Sequence, residues 1–235
     1  MEILMTNYKV GYLQESLQRS KSQQKEYHMV NNIQLYIKDP VSEEIDIKQV
    51  LDYVVSSVPV HLMKEVDSIF IGMFEEFQKK STNAMYKDGA IYVSNEQDDH
   101  MDMVDDIVHE IAHSLENPHG YILYADGKLE AEFMAKRHKL YDILKAENLD
   151  PDKSLFLNPD YTIELDKYLY EEVGYDRLNF IVSSYGLFTS AYSATALREY
   201  FANGFEYYFL DNESELREVC PELYKKIEEL HHYED

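Results

Sequence analysis

Hydrophobic and polar positions repeat along the chain in two periods, one helical and one extended. Between residues 101 and 115 the apolar positions recur three or four apart, the period of an amphipathic helix: Met101, Val104, Val108, Ile111 and Leu115. Asn95 is the expected N-cap, and Asn117-Pro118 followed by Gly120 should end the element. The pattern predicts a helix that ends at Glu116 and buries one face.

Shorter apolar runs before this helix predict strands. Ile33, Leu35 and Ile37 alternate with polar residues, whereas Ile69–Ile71 and Ala90–Val93 are compact runs. We expect a small sheet whose edge strand precedes the helix, with Ala90–Val93 leading into it. Such an edge can hold an extended peptide by backbone hydrogen bonds; the alternative is that these strands only close a core.

The remaining pattern is mostly helical, so the predicted fold class is α+β. Further helices are predicted at 47–58, 126–148, 163–173, 178–183, 193–210 and 221–233. Residues 1–32 are polar and rich in Ser and Gln, and they are expected to form a separate leader: a linker, a docking arm or a helix packed on the body. Residues 33–235 are expected to form the main domain.

The segment His109–His113 reads H-E-x-x-H and lies beside the apolar stripe of the first helix. Side chains four apart on a helix share one face, so His109 and His113 can bind one metal ion, and Glu110 can reach a water on it. Zinc with an open coordination position lowers the pKa of bound water to about 7 and polarises a carbonyl. The alternative is a surface helix with two solvated histidines.

Two carboxylates are candidates for the third ligand of such a zinc ion. Glu132 lies nineteen residues after His113, in a charged helix face. Glu199 lies in a helix rich in aromatic residues, where a buried charge needs a partner. That partner is either a metal or a cation such as Arg198, and the residues alone leave the choice between Glu132 and Glu199 open.

Three features together resemble the anthrax lethal factor-like metallopeptidases, zinc enzymes of the gluzincin type with a zincin-like fold. They are the motif His109–His113, the segment Arg198–Ala202, and Tyr192 seven residues before Glu199. Because the chain between the two motif helices is longer than the resemblance implies, residues 126–182 are expected to be a helical insertion.

The resemblance implies a role for each site residue. His109, His113 and Glu199 are the expected ligands of one Zn²⁺ per chain, although Glu132 stays a rival for the third position. Glu110 is the expected general base and Tyr192 the expected oxyanion donor. The predicted function is that of a zinc metalloendopeptidase, a hydrolase, acting on an extended protein or peptide substrate. The alternative is a zincin-fold metal-binding regulator or effector scaffold that binds partners without proteolysis.

The amino-acid composition limits the classes of partner and the cellular compartment that we expect for the chain. The chain has 45 acidic and 22 basic residues and a formal charge of −23, which argues against nucleic acid and anionic membranes as partners. Its single cysteine, Cys220, excludes an intramolecular disulfide. Residues 1–10 do not read as a signal peptide, and no run has the length of a transmembrane helix. A cytoplasmic location is expected, with non-standard secretion left open.

Overall fold

The strands form one mixed sheet in the computed structural model, which describes residues 26–28, 33–80 and 82–233. They are β1 (Glu26–His28), β2 (Gln34–Ile37), β3 (Ser68–Ile71), β4 (Ala84–Lys87) and β5 (Ala90–Val93). Their order across the sheet is β1-β2-β3-β5-β4. The central strands β2, β3 and β5 are parallel, whereas β1 and β4 run antiparallel to their neighbours.

The alternation of side chains separates the two faces of the sheet. In register across the three parallel strands, Leu35, Ile69 and Ile91 are all buried. The neighbouring row of Tyr36, Phe70 and Tyr92 stacks with ring centroids 5.0 and 5.2 Å apart. The alternation of side chains along each strand therefore separates a core-facing row from an aromatic ladder.

The edge of the sheet beside the motif helix is β4, which corrects the expectation drawn from Ala90–Val93. The turn residues Asp88 and Gly89 have φ values of 50° and 82°, a conformation that Asp-Gly pairs favour in tight hairpins. This turn folds β4 back along the outer side of β5. The strand that leads into the helix is therefore interior, and the preceding strand forms the edge.

Helices make up most of the remaining described residues, so the α+β class with a small sheet is confirmed. The α-helices are α1 (Ile47–Ser57), α2 (Glu75–Lys80), α3 (His100–Glu116), α4 (Gly120–Tyr124), α5 (Lys128–Ala146), α6 (Ile163–Lys167), α7 (Tyr175–Ser184), α8 (Leu197–Leu210), α9 (Glu213–Val219) and α10 (Pro221–His231). Short 3-10 segments lie at Val60–Met63, Lys153–Leu157 and Tyr192–Ala194, and a π-helical segment at Tyr168–Val173.

Helix α3 occupies the centre of the molecule, packed against α1, α8, β4 and β5. It ends at Glu116 as predicted, but its N-cap is Asp99, whose carboxylate accepts from the backbone N–H groups of Met101 and Asp102. The expected cap, Asn95, instead donates its side-chain amide to the carbonyl of Pro40. Asn95 is therefore used to tie two loops together, and the helix begins four residues later than a cap at Asn95 would allow.

The expected helix 193–210 is divided. Residues Tyr192–Ala194 form a 3-10 turn, Ala196 is extended, and α8 begins at Leu197. The Leu197 N–H donates to the carbonyl of Pro159 at 2.8 Å, so a distant loop satisfies one of the free N–H groups of the first turn. The break separates Tyr192 from the helix that carries Glu199.

The expected insertion, residues 126–182, packs into the same hydrophobic core as the rest of the domain. Its longest helix, α5, lies within the helix predicted at 126–148 and buries Leu129, Phe133, Leu140 and Leu144. Of the expected leader, β1 pairs with β2, whereas residues 1–25 and 29–32 lie outside the described residues. None of the helices in the described ranges has the length and apolar character needed to cross a bilayer.

Candidate metal centre

The two histidines of the H-E-x-x-H motif lie side by side on α3. Their Nε2 atoms are 3.1 Å apart, and the ring centroids are 4.8 Å apart. The buried apolar stripe of α3 fixes the rotation of the helix, so it also fixes the direction in which both rings point. Two ring nitrogens at this distance need a proton or a cation between them, because two bare lone pairs repel each other.

Glu199, in the first turn of α8, completes a cluster with these nitrogens. Its Oε2 lies 3.0 Å from His109 Nε2 and 3.5 Å from His113 Nε2. The three ligand atoms lie within 4.8 Å of one another, and the side chains are only 9–15% exposed. Two imidazole nitrogens and one carboxylate oxygen form a donor set that suits Zn²⁺, whereas Ca²⁺ and Mg²⁺ prefer oxygen ligands throughout.

The electrostatics of the cluster favour positive charge at its centre. Burial alone would raise the pKa of Glu199, but hydrogen bonds with both imidazoles hold that pKa far below its usual value. Burial alone would lower the pKa of His109, but the carboxylates of Glu206 and Glu199 raise it well above normal. The pKa of His113 is raised in the same way by Glu116 and Glu199, against the effect of burial. The shifts favour the positively charged form of both imidazoles and the negatively charged form of Glu199, so the carboxylates favour positive charge at the point where a cation would bind.

Each histidine has a second carboxylate behind it. His109 Nδ1 contacts Glu206 Oε1, two helical turns beyond Glu199 on α8. His113 Nδ1 lies 3.5 Å from Glu116 Oε1, at the end of α3. A carboxylate that accepts from Nδ1–H leaves Nε2 unprotonated and aimed at a metal, which is the usual support of a zinc-binding histidine. Glu206 and Glu116 therefore orient the two imidazoles from the Nδ1 side of each ring, away from the cluster of Nε2 atoms.

Arg198 holds the carboxylate behind His113 in place. Its Nε donates to Glu116 Oε2 at 2.8 Å, and the hydroxyl of Tyr124 donates to Glu116 Oε1 at 3.1 Å. An Arg198 terminal nitrogen also lies 3.3 Å from His113 Nδ1. Arginine can only donate, so that contact is a hydrogen bond only if Nδ1 is unprotonated. With a metal at Nε2, Nδ1 carries the proton, and Glu116 is the acceptor it needs.

Glu110 lies between α3 and the edge of the sheet. Its carboxylate is buried, and Oε2 accepts from the backbone N–H of Tyr86 on β4 at 2.5 Å. Burial raises the pKa of Glu110, an effect that the neighbouring imidazoles partly offset. A carboxylate with a raised pKa, adjacent to a ligand and outside the ligand set, has the properties of a general base.

Tyr192 lies on the other side of His109. Its ring centroid is 6.3 Å from that of His109, and the side chain is 37% exposed. Within the described ranges its hydroxyl has no hydrogen-bond partner, so it is available to a group from outside the protein. Burial and the negative charge of Glu199 raise the pKa of Tyr192, so the hydroxyl keeps its proton at neutral pH.

Glu132, the rival third ligand, is occupied elsewhere. Its carboxylate accepts from the hydroxyl of Tyr200 at 2.8 Å and from the backbone N–H groups of Glu222 and Leu223 at 2.9 and 3.1 Å. It therefore caps the N-terminus of α10, where a carboxylate is favoured. The structure brings Glu199 to the two histidines and places Glu132 outside the cluster.

Sequence reasoning missed the supporting residues Glu206 and Glu116. The signal for Glu206 is its spacing of seven from Glu199, which puts both on one face of α8. The signal for Glu116 is its spacing of three from His113. The cation considered as a partner for Glu199, Arg198, binds Glu116 instead.

Compared with models of known protein families, with curated proteins and with solved structures, the chain gives no match.

Proposed function

We propose that this protein is a zinc-dependent endopeptidase with a zincin-like fold, of the lethal factor-like type. The observation that carries the proposal is the convergence of His109 Nε2, His113 Nε2 and Glu199 Oε2, with Glu110 beside them on the same helix. A chance H-E-x-x-H on a solvated helix has no reason to meet a carboxylate from a helix ninety residues away. One zinc ion per chain would be held by these three side chains.

The proposed reaction is hydrolysis of a peptide bond by water. Zinc, when bound, would acidify that water and polarise the scissile carbonyl. Glu110 accepts a proton from the water and later passes it to the leaving amine, so that it acts as base and then as acid. The Tyr192 hydroxyl donates a hydrogen bond to the oxyanion of the tetrahedral state. Because this donor is neutral, it needs no change of charge during the cycle.

The proposed substrate is an extended peptide that lies along β4. In the described part of the chain no strand covers the outer side of β4, and the Tyr86 N–H points away from β5 towards Glu110. An extended peptide added at this edge would run past Glu110 and the two histidines. Backbone pairing of this kind binds many sequences, so selectivity must come from side-chain subsites.

A peptide library tests the proposal. We expect the zinc-loaded protein to cleave a mixed library and to stop when a chelator removes the metal. Glu110→Gln should keep zinc and fold but lower turnover by about two to four orders of magnitude, since the amide cannot accept the proton. Glu130→Gln, on an exposed face of α5, is the matched control and should behave as wild type.

Two outcomes would overturn the proposal. Cleavage by Glu110→Gln at the wild-type rate would show that Glu110 is not the general base. Stoichiometric zinc binding without cleavage of any library peptide would favour the alternative, a metal-binding regulator or effector scaffold.

A further inference from the structure

The carboxylate of Asp166, at the end of α6, is held between two tyrosine hydroxyls. Tyr161 donates to Oδ2 and Tyr175 donates to Oδ1, each at 2.8 Å. Among the described residues no Lys, Arg or His lies within ion-pair distance of this carboxylate. Asp166 is thus oriented by two neutral donors, and no cation among the described residues pairs with it.

Two hydrogen bonds tie the segments that carry Tyr161 and Tyr175 to the segments that carry Glu199 and Tyr192. The carbonyl of Pro159, two residues before Tyr161, accepts from Leu197 N–H, two residues before Glu199. The side-chain oxygen of Asn179, on the same helix as Tyr175, accepts from the N–H of Ala191 at 2.7 Å. One tyrosine that holds Asp166 is therefore tied to the start of α8, and the other is tied to the turn that carries Tyr192.

Charge coupling between the two groups agrees with this placement. Burial and the hydrogen bond to Asp166 raise the pKa of Tyr161 to about 12, and the charge of Glu199 adds to the increase. The charge of Asp166 in turn raises the pKa of Tyr192 further, beyond the effects of burial and Glu199. Asp166 and the metal centre therefore lie within each other's electrostatic field.

An accessible aromatic ring adjoins the carboxylate. Tyr161, which donates to Asp166, is 41% exposed, and Tyr192 at the metal centre is 37% exposed. An aromatic face beside a carboxylate can bind a long basic side chain, because the ring contacts the methylene stem while the carboxylate pairs with the charged end. A purely structural role, in which Asp166 ties α6 to α7, would explain the two hydrogen bonds. It would not explain why no cation among the described residues pairs with the carboxylate, or why the Tyr161 ring is exposed.

We propose that Asp166, with Tyr161, forms a subsite that selects a Lys or Arg side chain of the substrate close to the scissile bond. The inference rests on the proposed peptidase function and specifies which peptides the enzyme prefers. The formal charge of −23 acts in the same direction at long range, because it attracts cationic peptides. Asp166 adds a short-range attraction, which depends on the position of the basic residue in the peptide.

The test compares matched peptides that carry Lys or Gln at each position flanking the cleaved bond. At one position we expect wild type to prefer Lys about tenfold in kcat/KM, the size of effect typical of a hydrogen-bonded charge in a partly buried site. Asp166→Asn should abolish this preference and change kcat/KM for the Gln peptide much less than for the Lys peptide, since the amide oxygen accepts from one tyrosine and the amide N–H donates to the hydroxyl of the other. Asp176→Asn, an exposed residue on α7 with the same charge change, should retain it.

Binding supplies a readout that does not depend on turnover. Labelled Lys and Gln peptides are titrated into Glu110→Gln by fluorescence anisotropy, with and without the Asp166→Asn change. The Lys peptide should bind about tenfold more tightly only when Asp166 is present. Wild type that cleaves Lys and Gln peptides equally at every position would overturn the subsite and leave the peptidase standing. Wild type that cleaves no peptide would overturn both.

Discussion

Glu199, the expected third ligand, and Glu132, its rival, lie in two regions that differ in what surrounds the carboxylate. Glu132 meets three donors with fixed protons: the Tyr200 hydroxyl and two backbone N–H groups of α10. Glu199 meets two imidazole nitrogens and no backbone donor from the part of the chain that the structure describes. The two regions share α8, where Glu199 faces the histidines and the next residue, Tyr200, faces Glu132.

The difference shows how a structural carboxylate is told from a ligand. Around Glu132 every contact is a full hydrogen bond, because each donor, a hydroxyl or a backbone N–H, carries its own hydrogen. Around Glu199 the contacts are complete only when a proton or a cation sits among three groups that all carry lone pairs. The first region stabilises the fold, and the second is the region that we propose binds a metal ion.

The largest effect that separates the regions is expected from a pair of Tyr→Phe changes. Tyr192→Phe, near Glu199, should lower kcat by about a hundred- to a thousandfold, with zinc content, melting temperature and KM near wild type. Tyr200→Phe, near Glu132, should keep kcat and lower the free energy of unfolding by about 1 kcal/mol through the lost hydrogen bond. Steady-state kinetics and thermal melts measure both. An unchanged kcat in Tyr192→Phe would make that residue a packing tyrosine.

A smaller effect is expected from the carboxylate behind His109. Glu206→Gln should weaken zinc binding by about ten- to a hundredfold, because the neutral amide supports the Nδ1 proton less well. Competition with a chromogenic chelator measures the affinity without reference to activity. Glu218→Gln, an exposed residue of α9, is the matched control and should bind zinc as wild type does. Equal affinity in all three proteins would show that Glu206 does not orient His109.

The smallest effect on the metal centre is expected from a change at the other carboxylate, Glu132. Glu132→Gln replaces a charged acceptor of three hydrogen bonds, so the free energy of unfolding should fall by about 2 kcal/mol. For a chain of this size that corresponds to a melting temperature about 4–8 °C lower. Zinc affinity and kcat should stay at wild-type values. A loss of zinc affinity without a change in melting temperature would place Glu132 in the metal centre.

The parts of the fold that could be predicted are those with a strong local pattern. Helix α3 follows from the three-and-four spacing of residues such as Val104 and Val108, which lie buried in the core. The short elements β4 and α9 were missed, because segments of four to seven residues are too short to establish a period. Asn95 satisfied the rules for a helix cap but is used to hold a loop.

The site residues show the same difference between contacts that follow from a local pattern and contacts that depend on how helices pack. His109 and His113 are four residues apart, so their proximity follows from helix geometry alone. The meeting of His109 with Glu206 depends on how α3 and α8 pack, and no local pattern records the contact between helices so far apart in the chain. For the same reason the occupation of Glu132 by the start of α10 could not be foreseen from its charged helix face.

The most direct test of the central claim is the zinc content of three purified proteins by elemental analysis, before and after dialysis against a weak chelator. The account predicts about one zinc per chain in wild type and in Glu132→Ala, and loss of the metal in Glu199→Ala, because a catalytic site needs all three ligands to retain zinc. Circular dichroism confirms that each variant is folded. Zinc retained in Glu199→Ala and lost in Glu132→Ala would contradict the account and assign the third ligand to the other carboxylate.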